Sequence, residues 1–97
     1  MAKSTYLVVR HNVEDYNTWR PVYDGHEAFR KEVGSKGARV LRDQNDPTNV
    51  VVITEWPDMA AAQNFAQSPN LHETMGRAGV VGKPDVYFLE EIDRQPA

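Results

Sequence analysis

Along the chain, stretches dense in β-branched and aromatic residues give way to stretches with apolar positions three and four apart. The order of these stretches predicts the fold. Thr5 to Val13 (TYLVVRHNV) reads as a strand. Glu14-Asp15 follows and places carboxylates at a helix start, where they complement the dipole. From Tyr16 to Val33 the spacing is helical: Trp19, Val22, His26, Phe29 and Val33 share one face, flanked by Tyr16 and Tyr23. Pro21 fits this helix if Asn17 or Thr18 is the N-cap, which would make Asp15 to Trp19 a separate turn. Gly34 and Gly37 end the helix.

Ala38 to Gln44 is a second strand of mixed polarity, and Val50 to Trp56 (VVVITEW) a third and stronger one. The turn-rich Asn45-Asp46-Pro47-Thr48-Asn49 between them predicts a hairpin. Pro57-Asp58 opens a helix with Met59, Ala62, Phe65 and Ala66 on its apolar side. Ser68-Pro69 repeats the start signal, and Leu71, Met75 and Ala78 share a face of the short helix that follows. Gly76, Gly79 and Gly82 punctuate its end, and Pro84 to Ile92 is the last strand. The order β-α-β-β-α-β is the ferredoxin-like pattern, a four-stranded antiparallel α+β sheet with helices on one face and the first and third strands central.

That sheet is apolar on both sides. Val50 and Val52 oppose Val51 and Ile53; Leu7 and Val9 oppose Tyr6 and Val8; Val86 and Phe88 oppose Tyr87 and Leu89. The helices cover one face, so the other would be a large exposed apolar patch, and a homodimer formed through the sheet face would bury it.

Composition narrows the classes. The 97 residues fit a single domain, 1–97, with a modest core. There is no cysteine, so disulfides cannot reinforce that core, and a reducing, cytoplasmic setting is expected. No metal motif is present, so neither metal nor cofactor is expected. The formal net charge of −3, with signs interspersed, lacks the basic cluster of a nucleic-acid binder. No apolar run approaches the ~20 residues of a membrane span, and the N-terminus has no signal-peptide pattern. GRAGVVG lacks the preceding strand that a dinucleotide fingerprint needs.

Glu55-Trp56-Pro57-Asp58, followed by Ala61, Phe65, Ser68 and Leu71, resembles a motif of antibiotic biosynthesis monooxygenase-like domains, members of the dimeric α/β-barrel superfamily. Length and element order match along the whole chain. The resemblance implies two sheets closing into a barrel across a homodimer, with a small-molecule pocket between sheet and helices in each protomer. It also implies a cofactor-independent monooxygenase or cyclase acting on a flat aromatic, polyketide-like compound. The alternative is a non-catalytic ligand-binding or stress-response module of the same fold. The sequence departs from the family pattern where a mid-helix histidine is common: Asn64 and Phe65 stand there. It also departs from the haem-degrading relatives, because Asn12 is late in its strand and no tryptophan lies within the second helix; His72 alone could stand for their ligand.

Candidate site residues follow from position. His26 lies on the apolar stripe of the first helix, where burial favours neutral imidazole and suits a general base; a satisfied core histidine is the alternative. His11 ends the first strand on the Leu7 and Val9 face and is the second candidate base, or else a strand-end contact to Asp15 or a partner protomer. Tyr16, Trp19, Tyr23 and Trp56 are amphipathic rings that can hold a flat substrate or simply fill the core, with Trp56 favoured for the pocket. His72 belongs at the rim, and Met75 joins the substrate-binding set from the face it shares with Leu71. Arg30, Arg42 and Asp43 are possible polar anchors, with solvated surface as the default.

Overall fold

The computed structural model describes residues 4–96. β1 (Thr5–Val13), β2 (Gly37–Arg42), β3 (Asn49–Trp56) and β4 (Val80–Glu90) form one antiparallel sheet in the order β2-β3-β1-β4. The central pair, β1 and β3, aligns Leu7 with Thr54, Val9 with Val52 and His11 with Val50. The outer pairings put Val40 on that same face, opposite Val52, and Phe88 and Val86 opposite Leu7 and Val9.

Four short helices cover this face: α1 (Tyr16–Gly25), α2 (Glu27–Glu32), α3 (Met59–Ala66) and α4 (Pro69–Arg77). Their starts follow side-chain capping. Asp15 accepts from the Asn17 amide and the Thr18 hydroxyl, Asp58 from the Ala61 amide, and Ser68 from the Leu71 amide with Pro69 in the first turn. The cap is thus Asp15, two residues before Asn17 and three before Thr18, and Pro21 sits inside the helix, giving up one helical hydrogen bond. The predicted continuous helix to Val33 is also corrected: it breaks at His26, whose amide turns back to the Tyr23 and Asp24 carbonyls.

The last strand starts at Val80, four residues before the expected Pro84: Gly79, just after the Ala78 C-cap, ends α4 as expected, whereas Gly82 lies inside the strand. Both have positive φ, +82° and +72°. Gly82 lies in a bulge: between Arg10↔Asp85 and Asn12↔Val81, β1 has His11 alone while β4 has Gly82, Lys83 and Pro84. The excess of two residues keeps the alternation of faces in phase beyond the bulge.

The core is in two parts. Val13, Trp19, Val50, Val52 and Ala78 form one buried cluster; Leu7, Trp56, Ala62 and Phe65 form the other. On the face without helices lie Val8, Val51 and Ile53, half-buried, and Leu41, Tyr87 and Leu89, exposed. That face therefore carries the apolar patch the alternation predicts. No helix among the described residues is long and apolar enough to cross a membrane.

Candidate functional site

A cavity of about 60 Å³ separates the two core clusters. Its floor is β1 and β3, through Leu7, Val9, His11, Val52 and Thr54; its roof is Trp19, Tyr23, His26 and Arg30 from α1 and α2, with Phe65, Leu71, Thr74, Met75 and Ala78 from the α3–α4 side.

His11 is the ionisable group of the floor. It is 4% exposed, and neither ring nitrogen has a hydrogen-bond partner among the described residues. Its ring meets the edge of Trp19 at 5.7 Å. Burial, helped by the adjacent Arg10 charge, pulls its pKa from 6.5 down to about 4, so the imidazole is neutral at pH 7. A buried donor and acceptor both without protein partners cost stability, and such a group calls for a chemical reason to be there.

His26 is equally buried but satisfied. Its Nε2 lies 2.6 Å from the Asn70 side-chain oxygen, which accepts its hydrogen bond. Its ring stacks on Phe29 at 4.9 Å. Trp19 and Tyr23, one helical turn apart, stack at 4.8 Å and make a flat aromatic wall; Arg30 covers the outer Tyr23 ring at 4.0 Å.

Of the candidate residues, the structure therefore brings together His11, His26, Trp19, Tyr23 and Met75 around one cavity. Three fall outside it. Trp56 is fully buried, donates its Nε1 proton to the Thr54 hydroxyl at 2.7 Å and packs on Phe65, which makes it core. Tyr16 packs on Trp19 beneath the Arg42 guanidinium and accepts from Arg20 at its hydroxyl. His72 is exposed, with Nε2 3.2 Å from the Ala66 carbonyl. Arg30, a possible polar anchor with solvated surface as its default, is instead buried and lines the cavity, whereas Arg42 and Asp43 are exposed; Thr54, Thr74 and Asn70 are site residues the sequence does not single out. Arg30 follows His26 by four positions, on the stripe that carries the candidate base. No group of three or more His, Asp or Glu side chains that could hold a metal occurs among the described residues.

A ferredoxin-like α+β domain whose helices and sheet enclose an apolar, histidine-bearing cavity is the class this geometry defines. The chain belongs to the antibiotic biosynthesis monooxygenase family, whose profile matches residues 8–77. Among solved structures it is similar to SnoaB, a cofactor-independent oxygenase from Streptomyces nogalater, with 18% identity, 99% of this chain and 100% of that one covered, and a TM-score of 0.81. It is also similar to the monooxygenase from the gene ActVA-Orf6 of Streptomyces coelicolor, in complex with nanaomycin D (21% identity, 98% and 93% covered, TM-score 0.73). A third is the NE2512 protein of Nitrosomonas europaea, of unknown function (17% identity, 99% and 97% covered, TM-score 0.75). These identities establish the shared fold. No curated protein matches the chain in sequence.

Proposed function

We propose that this protein binds a flat aromatic compound between sheet and helices and oxygenates it without a cofactor, with His11 as the base. The observation that carries the proposal is a buried neutral imidazole, without a protein partner at either nitrogen among the described residues, in the floor of a cavity lined mainly by apolar and aromatic side chains. Family membership, and the oxygenases among its structural relatives, support the chemistry. His11 takes the proton of a phenol or anthrone, dioxygen adds at the electron-rich ring carbon, and the hydroperoxide loses water to leave a carbonyl. The substrate supplies the electrons. Burial makes His11 a weak base alone, but the phenolate that forms beside it favours the imidazolium. His26 Nδ1 is the second candidate acceptor. The Trp19–Tyr23 wall and Met75 hold the ring. Binding sites usually enclose roughly 300 Å³ or more, so the substrate must lift the roof at the His26 break.

The open sheet face supports a homodimer, in which two sheets close as a barrel. The lack of cysteine fits a cytoplasmic setting.

A second reading, a binding module without turnover, is favoured by the depressed His11 pKa, since a weak base suits recognition as well as catalysis. Oxygen uptake with a panel of hydroxynaphthalenes and anthrones separates the two. We expect turnover by the unmodified protein and a loss of about 100-fold or more in His11→Phe, the usual contribution of a positioned base. Equal rates in His11→Phe and His26→Ala would remove both bases, and binding without oxygen uptake would leave the second reading.

A further inference from the structure

Arg30 stands in the wall between two spaces. It lines the interior cavity and also an open groove of about 560 Å³ outside it, between α1–α2 and the start of β2; Tyr23 is shared in the same way. The Arg30 side chain is buried, with 6% of the residue exposed. One of its five N–H donors goes to the Tyr23 carbonyl at 3.0 Å. No carboxylate lies within ion-pair distance of it among the described residues. The nearby Asp24 is taken by Arg20 at 3.0 Å. A buried cation gives up hydration that an aromatic face and one carbonyl only partly replace.

The groove outside has the same sign. Arg20, Arg30, Lys31 and Lys36 line it against Asp24 and Glu27, two net positive charges on a chain whose net charge is −3. Lys36 leans towards Glu55 at 3.9 Å, which weakens that excess without removing it. Such a mouth raises the local concentration of anions.

We infer that Arg30 receives an acidic group of the ligand, so that the pocket takes a flat aromatic compound bearing a carboxylate, delivered from the groove past Tyr23. This rests on the small-molecule reading above and adds the substrate's charge to it. A guanidinium presents paired N–H donors that match the two oxygens of a carboxylate. Burial lowers the Arg30 pKa, and an anion at that point opposes the shift. The aromatic body of the ligand then lies along Trp19 and Tyr23 with its carboxylate at the wall and its phenol towards the floor.

Calorimetric titration with a hydroxynaphthalene and with the hydroxynaphthoic acid that differs from it by one carboxylate tests the inference. We expect the unmodified protein to bind the acid about tenfold or more tightly, as a charge-assisted hydrogen bond requires. Arg30→Gln should bind both compounds as the unmodified protein binds the neutral one. Should Arg30→Gln fail to fold, the unmodified protein carries the test alone: its preference must vanish as the pH falls through the ligand's own carboxyl pKa. Equal affinity for the two compounds, or a preference that survives Arg30→Gln or persists at low pH, overturns the role of Arg30 and leaves the small-molecule reading standing. If neither compound binds, that reading falls and the inference with it.

Discussion

The two tryptophans occupy the two halves of the helix–sheet interface and do different work there. Trp56 ends β3 in a solid cluster with Leu7, Ala62 and Phe65, its one polar atom satisfied by Thr54 two residues back on the same strand face. Trp19 is almost as buried, yet one side of its ring borders the cavity and its neighbours are an unsatisfied histidine and a stacked tyrosine. The comparison teaches that burial does not separate core from pocket here. What separates them is whether the polar atoms nearby have found protein partners. At the Trp56 end they have; at the Trp19 end His11 has not.

Removing Trp56 should therefore have the largest effect. Trp56→Ala empties a fully buried site and removes the donor to the Thr54 hydroxyl, which keeps its bond to the Leu7 carbonyl, and we expect a loss of about 3–5 kcal/mol in urea unfolding. A loss near zero would mean that this end is not the solid half of the core.

A smaller effect should come from acid. The unfolded His11 titrates near 6.5 and the folded one at about 4, so between these values the unfolded chain binds more protons. Stability contributed by neutral His11 is complete above the unfolded pKa and declines as the pH falls from 6.5 to about 4, by about 3 kcal/mol. Denaturant melts across that range should show the decline, and His11→Leu should flatten it. An unchanged slope in His11→Leu would show that His11 is not the buried titrating group.

The solid half was the more legible in the amino-acid sequence. The β1 limits at Thr5 and Val13, the Asp58 and Ser68 helix starts and the apolar character of both sheet faces are local or period-two signals, and they carry through to the structure. The site was legible in part. His11, His26, Trp19, Tyr23 and Met75 could be nominated because each lies on an apolar face. Trp56 was misjudged because strand-end position says nothing about whether a ring N–H is satisfied, although Thr54 at i−2 on the same face was a usable sign. The start of β4 at Val80 is hidden in the sequence because a glycine reads alike as a helix stop and as a bulge until the facing strand is known. Asn70 meets His26 across 44 positions of chain, a pairing that periodicity does not report.

Asn70 sharpens the comparison within the pocket half, and its effect on stability should be the smallest. The two histidines of the cavity differ in one bond: His26 has Asn70, His11 has no such partner. Asn70 sits in the first turn of α4 and joins it to the break between α1 and α2, so the bond also ties down the roof that a ligand must lift. Asn70→Ala should cost about 1 kcal/mol, the net worth of one hydrogen bond. It should also free the His26 ring to exchange tautomers and loosen the roof. If ligand entry depends on opening there, association should become faster in Asn70→Ala while stability falls only slightly. A stopped-flow measurement of Trp19 fluorescence during binding reads this directly, with Trp56, sealed in the other cluster, contributing a constant background. An association rate unchanged by the substitution would place the entrance elsewhere, and the groove beside Arg30 and Tyr23 would then have to open without movement of α4.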